Sequence, residues 1–284
     1  MILTPEIHDL IDRALQEDLS IGDATTAALA PEELQATATL FAKQPGVLCG
    51  VEVAAAVFRR VDPSLAVEQA LRDGDVMERG SVALRARGSA ATLLTAERTA
   101  VNFMQHLSGV ATLTAVYVDA VRGSGATIID TRKTLPGLRA LEKHAVRCGG
   151  GHNHRQNLGD GILIKDNHIA ALRGHGMTLG DIVRQAHARA SHTIKVEVEV
   201  TTLEEAEEAL DAGAQLLLLD NMPPELMKQA VELNRGRAVL EASGGINLDT
   251  VRAVAETGVD LISVGALTHS APALDISMDI SYLG

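Results

Sequence analysis

The sequence predicts an α/β chain, in which a mixed α+β region is followed by a parallel sheet that closes as a short barrel. Three observations predict it. From about residue 126 onward, short apolar strands alternate with helical stretches, at 126–130, 161–165, 194–200, 215–220, 238–242 and 260–264. Strand–helix units of this size imply a parallel sheet or barrel. The segments ALDAGAQLLLLD and VAETGVDLISVG form a weak internal repeat. In each, a helix ends at a glycine (Gly213, Gly258) and a buried strand begins two or three residues later. Nearly every strand also ends in a residue capable of chemistry, which is where barrel enzymes keep their active sites. The strands are fewer than a full barrel holds, so the barrel is short or incomplete.

The elements before the barrel follow from local patterns. Thr4-Pro5 reads as N-cap and first helical residue, with Ile7, Leu10, Ile11, Ala14 and Leu15 at helical spacing behind them. Residues 34–96 read as short strands broken by Gln44-Pro45-Gly46, Asp73-Gly74-Asp75, Arg79-Gly80-Ser81 and Arg87-Gly88-Ser89, with one helix around 50–61. The Gly-Asp-Val-x-x-x-Gly pattern at 74–80 resembles the half-barrel of biotinyl and lipoyl carrier modules, but no lysine stands at a hairpin tip there, so ordinary turns are the reading kept. From about 91 to 122 two helical patterns run through Leu107-Ser108-Gly109. Further on, Thr202 to Glu205 is a capping box, which makes Glu204, Glu205, Glu207 and Glu208 a solvated helix face.

Composition removes several functions. The 284 residues carry 25 Lys+Arg against 37 Asp+Glu, a net charge of −12. That balance argues against a sequence-independent nucleic-acid binder, and with no Trp, two Tyr and three Phe there is no base-stacking platform. Cys49 and Cys148 make no disulfide framework and fit a reducing, cytoplasmic setting. The N-terminal stretch is an acidic amphipathic helix, not a secretory signal, and no apolar run approaches the ~20 residues of a membrane span. A soluble cytoplasmic enzyme is the expectation.

The strand ends carry Asp130-Thr131-Arg132-Lys133, Lys165-Asp166-Asn167-His168, Glu199, Asp220-Asn221, Glu241 through Gly245, and Gly265-Ala266. Two of these loops, Ser243-Gly244-Gly245 and Val264-Gly265-Ala266, bear glycines whose amides can converge on a phosphate, as loops after the last barrel strands do. In Lys195-Val-Glu-Val-Glu199, period-2 geometry places Lys195, Glu197 and Glu199 on one face. In a barrel that face points inward, where a carboxylate must serve a cation, a metal or a sugar hydroxyl.

Residues 130–165 carry a net charge of about +4 and the rest of the chain about −16, so a small, multiply anionic ligand is expected there. An exposed charged helix accounts for Lys143, and could account for Arg139 and Arg147, but it explains Arg132, Lys133 and Lys165 poorly. His144, Cys148, His152 and His154 lack a regular zinc-ligand spacing. Lys165 could also be a Schiff-base lysine.

At DTRKTLPGLR (130–139) and GGGHNHRQNLGDGILIKDNH (149–168) the sequence resembles the quinolinate phosphoribosyltransferases, the decarboxylating nicotinate-nucleotide pyrophosphorylases. EDLSIGDATT, AERTAVNFMQHLSG, KVEVEV, LLLDNM, SGGI and VGALTHS extend the likeness over nearly the whole chain. The resemblance implies an N-terminal α+β sandwich domain (1–110) beside an incomplete α/β, TIM-like barrel (111–270), with the tail 271–284 returning to the first domain. It implies quinolinate and 5-phosphoribosyl 1-pyrophosphate as substrates with Mg²⁺, and nicotinate mononucleotide, pyrophosphate and carbon dioxide as products. By the same resemblance Arg132, His154, Arg155 and Lys165 hold the quinolinate carboxylates, with Lys133 and Lys165 facing the pyrophosphate. Glu199 and Asp220 bind the ribose hydroxyls and their Mg²⁺, which is held mainly by substrate. Thr131 and the two glycine loops complete the pocket. A homodimer is implied, with Arg98 reaching the neighbouring subunit's site; read alone, Arg98 is a surface arginine. A related phosphoribosyltransferase of other substrate, or a non-catalytic anion sensor, are the alternatives, and Glu199 with Asp220 argue against the sensor.

Overall fold

The computed structural model describes residues 1–31 and 33–283. The chain opens with α1 (Pro5–Leu19), α2 (Ala24–Leu29), β1 (Gln35–Ala42), β2 (Gly46–Val47) and α3 (Val51–Val61). It continues through β3 (Ala66–Gln69), β4 (Val76–Met77), β5 (Val82–Ser89), α4 (Ala90–Ala120), β6 (Thr127–Ile129) and α5 (Arg139–Cys148). Next come β7 (Ile162–Ile164), α6 (Asp166–Arg173), α7 (Leu179–Arg189), β8 (Val196–Val200), α8 (Leu203–Asp211) and β9 (Leu216–Asp220). The last elements are α9 (Pro224–Asn234), β10 (Val239–Ser243), α10 (Val251–Ala255), β11 (Leu261–Ser263), α11 (Ala266–His269) and β12 (Ile276–Leu283). Two compact units result: Met1–Ala115 with Leu135–Gly150 and Ser270–Gly284, and Val116–Thr134 with Gly151–His269.

The first unit is built on an antiparallel sheet of order β12-β1-β5-β3. Alternation along β1 buries Ala36, Ala38, Leu40 and Ala42 while the intervening residues stay more open, the period-2 pattern of a strand packed on one face. Helix α3 lies against β3 and β5, and α1 against α3. Its Val57 and Phe58 are fully buried. The tail does return: β12 pairs with β1 from Gln35↔Leu283 to Ala42↔Ile276. At the start of α1, Pro5 takes the first helical position and Thr4 is the extended N-cap, although its side chain makes no capping bond.

Two local expectations are corrected here. The two helical patterns between 91 and 122 are one helix, α4, of 31 residues. Gly109 does not break it, because the missing side chain is filled by another part of the chain. A Cβ there would strike the Pro272 carbonyl oxygen and lie 3.1 Å from the Ala273 Cα. Gly109→Val should therefore destabilise the protein by about 1–3 kcal/mol through overpacking, read as a lower urea midpoint at unchanged slope; an unchanged midpoint would mean that 272–273 gives way freely. The second correction concerns Lys143, which is 2% exposed and not on a wet helix face. Five of the ten residues of α5 are buried, and beside Lys143 the fully buried Glu142 receives His106 Nε2 at 2.9 Å and the Leu135 N–H. Charge spacing marked this helix as solvated; its packing within the first unit decides otherwise.

The second unit carries a six-stranded parallel sheet of order β6-β11-β10-β9-β8-β7. β8 is buried at four of its five residues, as a strand covered on both faces is. Consecutive helices α6 to α10 pack side by side outside it. Among the described residues no ladder joins β6 to β7; β6 is extended instead by a parallel bridge from Ile129 to His152. The barrel is incomplete, as expected. At the start of α8, Thr202 Oγ1 accepts the Glu205 N–H, but the Glu205 carboxylate reaches back to Thr201 and not to the cap residue's own amide.

Candidate active site

The carboxyl ends of the six strands form a cleft of about 340 Å³ in the second unit. Thr131, Arg132 and Lys133 come from the end of β6, Lys165 from β7, Glu199 from β8, Asp220 from β9 and Ser243 from β10, with His154 and Arg155 from the loop before β7. Parallel strands set side by side carry these scattered positions to one place. The expected basic cluster therefore assembles around Arg132, Lys133, Arg155 and Lys165.

The cations are crowded. Burial, and then repulsion from Arg132, push the Arg155 guanidinium below its ordinary value. Arg155 Nη1 donates to the Gly161 carbonyl at 2.9 Å, and Arg132 Nε is buried without a protein partner. Lys165 Nζ lies 3.4 Å from Glu199 Oε2. The lysine is thus ion-paired and not set in the apolar pocket that activates a Schiff-base amine.

Asp130, fully buried at the end of β6, organises the 153–155 loop by accepting the His154 N–H at 2.9 Å and the Asn153 side-chain amide at 2.5 Å. The Arg155 N–H donates to His154 Nδ1 at 2.7 Å. That leaves Nε2 to carry the ring proton, and it points at Glu197 Oε2 at 3.1 Å and Glu241 Oε2 at 3.7 Å. Both acids point into the barrel, Glu197 as the alternation of 195–199 requires. Burial first, then the charge of Glu197, push the Glu241 carboxyl well above its ordinary range. A cavity of about 490 Å³ beneath the cleft is bordered by these two acids together with Lys195. Asp130, Glu197 and Glu241 were visible as strand-end or inward acids; nothing local marked them as a support for His154.

The glycine loops differ from one another. Asn221 adopts φ +52° and donates its side-chain amide to Asp220 at 2.8 Å, while its N–H reaches the Ser243 carbonyl. Gly244, at φ +95°, lies against that asparagine, and a Cβ there would strike Asn221 Oδ1. Gly244 thus permits the turn that orients Asp220, and Gly245 follows at φ +61°. In the other loop Val264 is 1% exposed and spends its N–H on the Ile129 carbonyl. The expected phosphate contact from Val264 is therefore corrected: its amide belongs to the sheet, and Gly265 and Ala266 at the opening of α11 remain. Gly265 lies beside Lys133, whose Cδ would be 3.1 Å from an added Cβ, and Thr268 Oγ1 donates to the Lys133 carbonyl. Thr131 Oγ1 accepts the Lys133 N–H at 3.0 Å.

Two expectations lie elsewhere. Arg98 belongs to the first unit, on α4, where its side chain is 60% exposed and 3.7 Å from Glu97. Of the four residues weighed for zinc, His144 and Cys148 belong to the first unit and His152 and His154 to the second.

Comparison with known proteins gives a consistent result. Residues 110–279 match the family model of the quinolinate phosphoribosyl transferase C-terminal domain, and residues 23–108 that of the N-terminal domain. The chain is 46% identical over 279 residues to the nicotinate-nucleotide pyrophosphorylase [carboxylating] of Mycobacterium leprae, covering 96% of each. It is 41% identical over 276 residues to the probable enzyme of that name from Bacillus subtilis, covering 97% of this chain and 94% of the relative. The crystal structure of NadC from Streptococcus pyogenes superposes with a TM-score of 0.94 at 45% identity, covering 100% of both chains. No helix among the described residues is long and apolar enough to cross a membrane.

Proposed function

The chain belongs to the quinolinate phosphoribosyltransferase family, which converts quinolinate to nicotinate mononucleotide in NAD biosynthesis, and we propose that it does so in the cleft at the strand ends of its barrel. The observation that carries this reading is the pairing of Arg132 and Arg155, two mutually repelling guanidiniums in one partly buried place. Holding them together costs free energy that a dianion offsets, and quinolinate carries two adjacent carboxylates. His154, fixed by Asp130 and Glu197, borders the same position.

In this reading the pyridine nitrogen attacks carbon 1 of the ribose as the bond to pyrophosphate breaks. Positive charge develops on the sugar in that transition state, and Glu199 and Asp220 supply the facing carboxylates. Lys133 and Lys165 take up the negative charge gathering on the departing pyrophosphate. Gly244, Gly245, Gly265 and Ala266 present backbone amides to the 5-phosphate. Loss of the 2-carboxylate as carbon dioxide leaves its electron pair on the ring carbon, which the quaternised nitrogen stabilises until a proton arrives.

Glu199 and Asp220 offer hard oxygen donors at adjacent strand ends, a set that fits Mg²⁺, which is bound through one or two carboxylates plus substrate phosphates and water. Bound there, the ion neutralises phosphate charge. Incubation with Mg²⁺, quinolinate and 5-phosphoribosyl 1-pyrophosphate should release carbon dioxide and pyrophosphate in equal amounts; release of neither would overturn the substrate assignment. Arg132→Ala and Arg155→Ala should each weaken quinolinate binding by about 2–5 kcal/mol, the loss expected when one partner of a buried charge pair is removed. Unchanged affinity in both by calorimetry would remove the pocket.

The functional unit in this proposal is a homodimer in which Arg98 serves the site of the other copy, its fork suited to bidentate contact with a carboxylate. Arg98→Ala and Glu199→Ala proteins should each be nearly inactive. Mixed equally under subunit exchange, they should recover activity approaching a quarter of the wild-type sites, because half the sites in each mixed dimer carry neither substitution. Heterodimers confirmed by mass but without activity would confine Arg98 to its own chain or to no role.

A further inference from the structure

Away from the cleft, within the first unit, four side chains from three distant segments converge. Cys49 stands just before α3, Asp73 lies in the turn between β3 and β4, and His144 and Cys148 occupy positions i and i+4 of α5. One donor atom from each lies within 4.8 Å of every other. Cys49 is fully buried, and the side chains of His144 and Asp73 are 15% and 7% exposed.

We propose that Cys49, Asp73, His144 and Cys148 bind a zinc ion in tetrahedral geometry. The positions of the donors carry the argument. His144 Nε2 is 2.9 Å from Asp73 Oδ2 and 3.3 Å from Cys148 Sγ. A cysteine–histidine–carboxylate relay uses the two ring nitrogens toward opposite partners. Here one nitrogen faces both, so the geometry is convergence on a point and not a chain of proton transfer. The one nitrogen cannot aim a single proton at both Asp73 Oδ2 and Cys148 Sγ, whereas a cation at the point of convergence takes a lone pair from each donor.

The dimensions agree. Bond lengths of about 2.0–2.3 Å from zinc to nitrogen, oxygen and sulfur make the edges of the tetrahedron about 3.3–3.8 Å. The observed contacts reach that range by opening a few tenths of an ångström. Two thiolates, one imidazole and one carboxylate form a donor set that suits zinc better than the harder Mg²⁺ or Ca²⁺. The second carboxylate oxygen of Asp73 is fixed separately, accepting the N–H groups of Gly50 and Val51 at 2.8 and 3.0 Å. The backbone of Cys49 is held by Ser108 from both sides, through its N–H and its carbonyl. Three of the donors are thus presented on pinned backbone or one helix face, as a preorganised metal site requires. A cavity of about 630 Å³ bordered by Asp73, His144 and Cys148 gives an ion a way in.

The test uses the full chain, reduced with a phosphine, freed of metal and titrated with Co²⁺ without oxygen. Thiolate-to-cobalt charge-transfer absorption and the intense visible bands of a tetrahedral ion should appear, saturate at one equivalent and vanish when Zn²⁺ is added. Cobalt at the oxygen ligands of the catalytic cleft lacks the thiolate band, so Glu199→Ala should leave the spectrum intact. Cys148→Ser should lose about half of the charge-transfer intensity, and His144→Gln should weaken binding by more than about tenfold. Because Cys49 is buried in the core, its replacement is not relied upon; circular dichroism checks that the two α5 variants remain folded. Absence of the thiolate band from the reduced wild type overturns the site. So does a band that Cys148→Ser leaves unchanged.

Discussion

Lys165→Ala should lower kcat/KM for quinolinate by about 10³-fold, the scale of losing one preorganised group that stabilises transition-state charge, and Lys165→Arg should recover little of it. The ammonium sits in the cleft 3.4 Å from Glu199 Oε2, between the carboxylate proposed for the sugar and the position proposed for the anions. Its backbone is fixed, since the Lys165 N–H donates to His168 Nδ1 at 3.0 Å at the start of α6. A compact, rotatable point charge can be shared between Glu199 and a phosphate oxygen. A planar guanidinium has its donors fixed in a fork and is larger, so it displaces one neighbour to meet the other. The side chain is 48% exposed, and its loss should leave folding nearly untouched, which separates a catalytic defect from an unfolded protein. Steady-state kinetics with both substrates varied would check this. A Lys165→Ala enzyme within tenfold of wild type would remove Lys165 from the transition state, and a fully active Lys165→Arg enzyme would reduce its role to bulk charge.

The barrel strands and their terminal residues were legible because each is a local pattern: a short apolar run, a helix-ending glycine, then a charged or glycine-bearing turn. Parallel order and strand proximity turn that one-dimensional regularity into a cleft, so Lys133, Lys165, Glu199 and Asp220 could be named from position alone. Residues whose meaning depends on distant partners were not legible in this way. Lys143 carries the spacing of a wet helix face, yet it is buried by packing that no local pattern records. His144 and Cys148 are a helical turn apart, which was a usable signal, but Asp73 lies 71 residues away from His144 in sequence. Gly109 looks like a helix break until the backbone at 272–273 is seen to fill the space beside it. Val264 reads as part of a phosphate loop, whereas its amide completes a parallel ladder to β6.

His154→Ala should destabilise the protein by about 3 kcal/mol, roughly 5 °C in melting temperature for a chain of this size, while Glu241→Gln should cost almost nothing. The contrast follows from the charges on one buried group of three. Glu197 is 5% exposed and Glu241 1% exposed, and the His154 ring, whose Nδ1 accepts the Arg155 N–H, offers its Nε2 proton to Glu197 at 3.1 Å. Two adjacent buried carboxylates cannot both ionise cheaply. Burial and the neighbouring charge raise the pKa of Glu241, so it keeps its proton to higher pH. Removing the imidazole strips Glu197 of its donor in a place where water cannot fully replace it. Converting Glu241 to the amide preserves its shape and removes a titration without removing a needed charge. The sign with pH follows. A carboxyl whose folded pKa is raised favours the folded state most at low pH, and that contribution is lost as pH rises from about 4.3 toward the folded value. The stability of the wild type should therefore decline more over that interval than that of Glu241→Gln, with the two curves diverging in favour of the variant as pH increases. Denaturant midpoints across the range measure both effects. Parallel curves would mean that Glu241 titrates normally, and a Glu241→Gln protein as damaged as His154→Ala would mean that Glu241 is ionised and is itself the partner His154 requires.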